Sequence, residues 1–282
     1  MDVFQSIVLG IIQGITEFIP ISSSGHLDLI PRLLNWENPS TVFILFLHLG
    51  TLLALLYYYR KLIAKYLKVV FKFLRRNQKL KVKEKKDLDA MKNVLIAVMP
   101  ALFIGIIFEK VISGFYDNTE DIKTIGLVIL IPLILIGIIF LFEDRIFKKN
   151  KLQIDELRGY KALIVGLAQA MAFIRGVSRS GITLLAGQVV GLKRVSAAEF
   201  SFLMSIPVLT ATSIYSIFKL LKLQSNEIQN ELGLALVGAF AAFVSGLIAV
   251  KFLLRFLQSN SLKIFGIYRI VFGVIILLII LV

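Results

Sequence analysis

Six long apolar runs constrain the fold of this chain more than any other feature of its sequence. The hydrocarbon core of a bilayer is about 30 Å thick, so a helix needs roughly 20 mainly apolar residues to cross it. The runs near or above this length are residues 41–59, 94–108, 124–142, 200–218, 233–254 and 264–282. We expect the helix of the short second run to continue to about residue 115. The sequence therefore predicts an all-α polytopic membrane protein with six transmembrane helices, and 57% hydrophobic residues fit that class.

Two shorter apolar segments do not fit a simple span. Residues 3–21 and 162–174 are interrupted by glycines and polar residues at the point where a spanning helix should continue. We therefore predict two re-entrant helical hairpins in addition to the six spans. The chain begins MDV, without the basic residues that open a signal peptide, so we expect the first segment to stay in the mature protein.

The positive charge of the chain is concentrated in one segment. Of a formal net charge of +14, residues 60–93 supply 13 Lys and Arg against 3 Asp and Glu, with leucines and phenylalanines between them. This pattern indicates either an amphipathic segment on anionic lipid or a basic loop held inside by the positive-inside rule. Both interpretations place a basic loop at about 60–93 in the cytoplasm, and neither favours nucleic acid as a partner. The connections at 109–123 and 219–231 are not basic and are predicted to lie outside.

The chain also contains an internal repeat with an offset of 156 residues. Without gaps, "GIIQGITEFIPISSSG" at 10–25 lies over "GLAQAMAFIRGVSRSG" at 166–181. The identical pairs in this stretch are Gly10 and Gly166, Gln13 and Gln169, Ser22 and Ser178, Ser24 and Ser180, and Gly25 and Gly181. We therefore predict a single membrane domain, 1–282, with one repeat at about 3–142 and another at about 159–282. Each repeat would hold one hairpin and three spans, and since three is odd the second repeat must be inverted in the membrane.

The two predicted hairpins carry groups that suit an anion. A charge at the bilayer centre costs about 2.5–3.5 kcal/mol on insertion scales, so Glu17 and Arg179 should face a polar cavity. The segments "ISSSGHL" and "VSRSGIT" each read as a turn that starts a helix, whose free N–H groups and dipole favour anions. Serine hydroxyls and the arginine would add donors for a diphosphate. A second interpretation makes the serines helix caps and pairs Arg179 with Glu17.

Nucleophilic chemistry is available in the first hairpin. Ser23 and His26 are three residues apart at a helix start, so they share a face and could exchange a proton. Glu17 could act as a base, orient His26 or hold a divalent cation, with Mg²⁺ or Ca²⁺ the expected ion. The nucleophile is Ser23, His26 or a water activated by Glu17, and the sequence leaves these three open. His48 is predicted to pack within its span, and the chain has no cysteine, which excludes disulfides and thiolate catalysis.

Together these motifs resemble the undecaprenyl pyrophosphate phosphatases of the bacitracin-resistance family. The family's (E/Q)xxxE and PxSSxGH motifs match 13–17 and 20–26, and its PGxSRSG motif matches 175–181. Further similar stretches are "HLGTLLA", "MPALFIG", "AAEFSFLMSIP" and "YRIVFG". The resemblance implies hydrolysis of a polyisoprenyl diphosphate that recycles the carrier lipid for cell-wall glycan synthesis. It also implies an inverted-repeat fold in the cell membrane, a site open to the outer face, and homodimers.

Carried onto this sequence, the resemblance assigns catalysis to Ser23, His26, Glu17 and Arg179, with Glu17 as the metal ligand. The residues assigned to substrate binding are Gln13, Ser22, Ser24, Gly25, Gly176, Ser178, Ser180 and Gly181. Two positions depart from the family pattern: Arg175 replaces the proline, and Gln13 leaves only one carboxylate, which weakens the case for a chelated metal. The alternative function is a lipid-phosphate flippase or anion transporter, which needs an anion site but no nucleophile and base.

Overall fold

The structure is a computed structural model that describes residues 1–75, 80–117, 122–147, 149–220 and 225–281. Within these ranges the chain forms eleven α-helices. They are α1 (Val3–Phe18), α2 (Ser23–Leu33), α3 (Thr41–Tyr58), α4 (Arg60–Leu74), α5 (Val82–Asp117), α6 (Ile122–Phe147), α7 (Gly159–Ala170), α8 (Arg179–Val189), α9 (Arg194–Leu220), α10 (Ser225–Phe256) and α11 (Lys263–Leu281). Short 3₁₀ turns at Ile154–Glu156 and Met171–Phe173 precede and follow α7.

All six predicted spans are confirmed as helices long and apolar enough to cross a membrane. These stretches are Thr41–Tyr58, Val82–Gly105, Gly126–Phe147, Arg194–Phe218, Glu231–Phe256 and Lys263–Leu281. The second span starts earlier than the predicted residue 94, because the polar residues before it continue the same helix. Its helix, α5, also runs past the predicted end near residue 115.

The basic segment 60–93 is helical for most of its length, so its description as a loop needs correction. Residues 60–74 form α4 and residues 82–93 belong to α5. Residues 76–79 of the predicted loop lie outside the described part of the chain. Ion pairs hold the two helices together: Lys65 Nζ to Asp87 at 2.6 Å, and Lys72 Nζ to Glu84 at 2.8 Å. The apolar side chains that α4 leaves exposed are Leu67, Phe71, Phe73 and Leu74. Exposed apolar groups among lysines fit the amphipathic interpretation.

The two interrupted segments fold as pairs of short helices joined by turns. α1 ends at Phe18 and α2 begins at Ser23, while α7 ends at Ala170 and α8 begins at Arg179. At 1.5 Å per residue the 16 residues of α1 extend only about 24 Å, which is less than the hydrocarbon core. The chain therefore breaks at the serine-rich turns, as the sequence predicts.

Each half of the chain packs its first helix against a helix of the other half. α1 lies on α10 and α7 lies on α5. Gly10 faces the carbonyl oxygen of Gly238, and its repeat counterpart Gly166 faces the carbonyl oxygen of Ala97, so closely that a Cβ at either glycine would overlap the oxygen. A glycine thus permits close backbone contact between helices at the two equivalent positions. This packing holds both serine-rich turns within the helical bundle.

Candidate active site

The turns before α2 and α8 have the same local geometry. Ser22 and Ser178 both have positive φ, +78° and +75°, in the region that disfavours side chains. The hydroxyl oxygen of Ser22 accepts the N–H of Gly25 at 3.4 Å, and that of Ser178 accepts the N–H of Gly181 at 3.2 Å. These four residues therefore build the turns by capping the helices, as the second interpretation of the serines requires. Backbone strain of this kind is common at functional sites.

Ser24 and Ser180 extend these turns by one more contact each. The hydroxyl of Ser24 lies 3.4 Å from that of Ser22, and the hydroxyl of Ser180 lies 3.2 Å from that of Ser178. Of these two, Ser24 lines the cavity described below, while Ser180 is buried at 3% exposure. The matching contacts show that the repeat in the sequence is also a repeat of side-chain geometry.

Glu17 joins the two turns. Its Oε1 accepts from Arg179 Nη2 at 2.7 Å, and its Oε2 accepts from the Ser23 hydroxyl at 2.8 Å. Oε2 also accepts from Gln13 Nε2, one turn earlier on α1, at 3.1 Å. The ion pair between Glu17 and Arg179, which the second interpretation of the sequence contained, is confirmed. Because the hydroxyl of Ser23 donates to this carboxylate, Glu17 is placed to take the serine proton.

The predicted contact between Ser23 and His26 is wrong. His26 Nδ1 lies 2.7 Å from the backbone oxygen of Ser22, and its Nε2 lies 2.8 Å from the hydroxyl of Tyr268. The ring stacks on Phe272 with centroids 4.3 Å apart. Sharing a helix face did not bring the two side chains together, because His26 turns towards α11 while Ser23 turns towards α1. His26 therefore contacts the turn and α11, and the carboxylate next to Ser23 is that of Glu17.

A cavity of about 390 Å³ opens beside this cluster, a size typical of small-ligand sites. The predicted residues that line it are Glu17, Ser23, Ser24, Ser178 and Arg179. The remaining predicted residues, which are buried behind this wall, are Gln13, Ser22, Gly25, His26, Gly176, Ser180 and Gly181. The structure thus brings together one serine hydroxyl, one carboxylate and one guanidinium at one cavity.

Several further polar residues line the cavity but were not predicted as site residues from the sequence. They are Thr41, His48, Gln169, Thr212, Ser213 and Ser216. His48 was expected only to pack, but it lines the cavity while its Nδ1 lies 2.9 Å from the backbone oxygen of Ile44. Gln169 had a signal in the sequence, since it matches Gln13 in the repeat.

Arg269 of α11 is the largest residue that the sequence analysis missed. It is fully buried, at 0% exposure, and donates to backbone oxygens from three segments. Its acceptors are Leu133 at 2.9 Å, Pro20 at 3.1 Å, Gly176 at 2.8 Å and Val177 at 3.1 Å. One guanidinium therefore binds both serine-rich turns and α6. The signal was available, because an arginine inside an apolar span is by default a functional candidate.

Arg175, which stands where the family motif has a proline, forms an ion pair in this chain. Arg175 Nη1 donates to both carboxylate oxygens of Asp28, at 3.1 and 3.0 Å. Asp28 lies in α2 and Arg175 lies in the turn before α8, and both are partly exposed. Where the family pattern has a proline, this chain has an arginine whose ion pair links the turn before α8 to α2.

The residues of the cavity do not fit a resident metal ion. Glu17 is the single acidic residue in its lining, and both of its oxygens already accept hydrogen bonds from protein donors. No group of three His, Cys, Asp or Glu residues that could hold a metal occurs among the residues that the structure describes. Glu17 is thus occupied as a hydrogen-bond acceptor of protein donors.

The fold and the site define a class: a polytopic membrane protein in which a serine, a carboxylate and an arginine meet at a cavity between the helices. Comparison with known families narrows this class further. The profile of the family described as "Bacitracin resistance protein BacA" matches residues 6–275. The chain belongs to this family.

Curated relatives cover nearly the whole chain. A protein of Moorella thermoacetica named undecaprenyl-diphosphatase is 38% identical over 278 residues, which are 98% of this chain and 97% of the relative. Proteins of the same name from Caldicellulosiruptor bescii and Neisseria gonorrhoeae are 36% and 34% identical, over 98% of this chain and 97% and 94% of those relatives. Family and relatives agree with the resemblance seen in the sequence motifs.

Proposed function

We propose that this chain is an integral membrane phosphatase that hydrolyses undecaprenyl or another polyisoprenyl diphosphate to the monophosphate and inorganic phosphate. The reaction would recycle the carrier lipid for cell-wall glycan synthesis. The family and the names of the relatives support this function. The observation that carries it is the hydrogen bond from the Ser23 hydroxyl to Glu17, whose other oxygen binds Arg179.

The geometry supports a mechanism through a phosphoserine. The Ser23 oxygen attacks the terminal phosphorus while Glu17 Oε2 accepts its proton. The bond from that phosphorus to the bridging oxygen breaks, and the lipid monophosphate leaves. Water then attacks the phosphoserine, the bond from phosphorus to the serine oxygen breaks, and Glu17 returns the proton to Ser23. Arg179 and the N-termini of α2 and α8 would stabilise the charge that develops on the phosphate oxygens.

The Glu17 contact favours a phosphatase over the alternative of a flippase or anion transporter. An anion that only passes through the cavity needs donors, which Arg179 and the serines supply. It does not need a hydroxyl that donates to a buried carboxylate, as Ser23 does at 2.8 Å. This contact prepares a nucleophile, and the relatives are named as enzymes.

Purified protein in detergent is expected to release inorganic phosphate from a C15 or C55 isoprenyl diphosphate, with one prenyl monophosphate formed for each phosphate. Glu17→Gln should reduce this release strongly, because the amide no longer accepts the serine proton. The matched control is Glu37→Gln, which changes an exposed carboxylate outside the site. If wild-type protein moved the lipid between the leaflets of vesicles without releasing phosphate, the function would be transport.

We further propose that the two halves form an inverted repeat in the membrane with re-entrant hairpins. The equal geometry of the Ser22 and Ser178 turns and the reciprocal packing of α1 on α10 and α7 on α5 support it. In this arrangement the basic segment 60–93 is cytoplasmic and the cavity opens outwards, since Thr41 and Ser216 line it near the outer ends of their helices.

Cysteine labelling tests this orientation, since the native chain has no cysteine to interfere. In intact cells an impermeant maleimide should label Asn38→Cys but not Lys83→Cys, and both should react once the membrane is permeabilised. Both positions are exposed, so access to the reagent decides the result. Labelling of Lys83→Cys alone in intact cells would reverse the orientation.

Two predictions from the family resemblance remain proposals. The homodimer is testable from the mass of the detergent-solubilised protein. A divalent cation, Mg²⁺ or Ca²⁺, would fit only as an ion that arrives with the diphosphate, because Mg²⁺ often binds one carboxylate together with substrate phosphates. Phosphate release measured with and without EDTA tests that dependence.

A further inference from the structure

The cavity is also lined by buried polar groups that have no hydrogen-bond partner among the described residues. Gln169 on α7 and Ser213 on α9 are 3% and 4% exposed, and both line the cavity. Within the described part of the chain, both amide atoms of Gln169 and the hydroxyl of Ser213 lack a hydrogen-bond partner. The same holds for Nη1 of Arg179, whose Nη2 binds Glu17. Three helices therefore place unused donors at one cavity.

Unsatisfied groups of this kind are informative because more than about nine in ten buried polar groups in folded proteins have a partner. Gln169 and its repeat counterpart Gln13 differ in their hydrogen bonds. Gln13, the counterpart of Gln169, donates its amide to Glu17 and so supports the reactive carboxylate. Gln169 lines the cavity but donates to no carboxylate, and neither of its amide atoms has a partner within the described part of the chain.

We propose that Gln169 and Ser213 form a second phosphate subsite, which holds the lipid-linked phosphate of a diphosphate while Ser23 attacks the terminal one. The inference rests on the proposed function and names the part of the site that recognises the second phosphate. Phosphate oxygens accept hydrogen bonds, and an amide NH₂ and a hydroxyl supply donors without adding charge. Arg179 lines the same cavity, where its Nη2 binds Glu17 and its Nη1 has no partner among the described residues.

This arrangement separates ligands by their number of phosphates. A ligand with two linked phosphates can fill both subsites at once, whereas a ligand with one phosphate fills a single subsite. The second contact therefore strengthens the binding of a diphosphate and leaves that of a monophosphate largely unchanged. After the bond between the phosphates has broken, the lipid monophosphate fills only one subsite, so it is bound less tightly than the diphosphate.

Calorimetric binding of two probes to the purified protein tests the proposal. The probes are inorganic phosphate and methylenediphosphonate, whose P–C–P bridge resists hydrolysis. Gln169→Leu is expected to weaken the diphosphonate by about ten- to hundredfold, the value of one hydrogen bond to a charged ligand, and phosphate by less than about twofold. Ser213→Ala should act in the same direction. Gln258→Leu, an exposed residue, serves as the matched control.

The ratio of the two affinities decides the outcome. A selective loss of diphosphonate binding in Gln169→Leu and Ser213→Ala supports the subsite, and unchanged phosphate binding shows that both variants are folded. An equal loss for both probes, or no loss for either, overturns it. Because the probes are not hydrolysed, the result is separate from the proposed function: failure of wild-type protein to release phosphate would refute the phosphatase but not the subsite.

Discussion

Replacing Ser23 with alanine is expected to lower the release of inorganic phosphate by a factor of about 10³ or more, because the nucleophile is lost. Binding of the diphosphate should persist, since Arg179 and the helix N-termini remain in place. The measurement is the steady-state rate with a C15 diphosphate, together with binding of the same substrate to the same detergent preparation. Ser24→Ala removes a neighbouring hydroxyl of the cavity that does not contact Glu17, so its effect on the rate should be much milder.

Glu17→Gln provides the second half of this test. Ser23 and Glu17 act as one unit in the structure, so the double variant should be little slower than either single variant. Substantial activity in Ser23→Ala would move the nucleophile to His26 or to a water activated by Glu17. The phosphatase would then stand, and the phosphoserine would be refuted.

Replacing Arg269 with leucine is expected to cause the largest loss of stability of any single change considered. Four backbone oxygens would lose a donor at once, and each of them that is left without another partner costs about 1–3 kcal/mol. The turns that carry Ser23 and Arg179 would also lose their common anchor. Thermal unfolding in detergent should show a lower midpoint, and phosphate release should fall with it.

Arg269→Lys separates the positioning role from stability. Lysine keeps the charge, but a single ammonium cannot reach four oxygens as the planar guanidinium does. We expect folded protein with a reduced kcat and a nearly unchanged KM. Arg255→Lys, at an exposed position near the end of α10, is the matched control. A wild-type kcat in Arg269→Lys would show that Arg269 does not position the reacting groups.

Much of the site was accessible from the sequence because its signals are local. Ser22 and Ser178 begin helices that are capped within three residues, and the repeat predicts that the two turns are alike. The pair formed by Glu17 and Arg179 was one of two interpretations of the sequence. It was predictable because two opposite charges in apolar surroundings stabilise each other by pairing. The prediction for His26 failed for the opposite reason: its partner Tyr268 is 242 residues away, and helical spacing carries no information on it.

The sequence by itself determined the class of fold, the six spans and the position of both breaks, because the length of an apolar helix and the chemistry of a turn depend on neighbouring residues. The tertiary structure alone decided which donors meet. It placed Arg269 on backbone oxygens of both turns and paired Arg175 with Asp28 across 147 residues. It also left both amide atoms of Gln169 without a partner among the described residues, whereas Gln13 donates to Glu17. These contacts depend on how α1, α7 and α11 pack against one another, and packing is set by the whole chain.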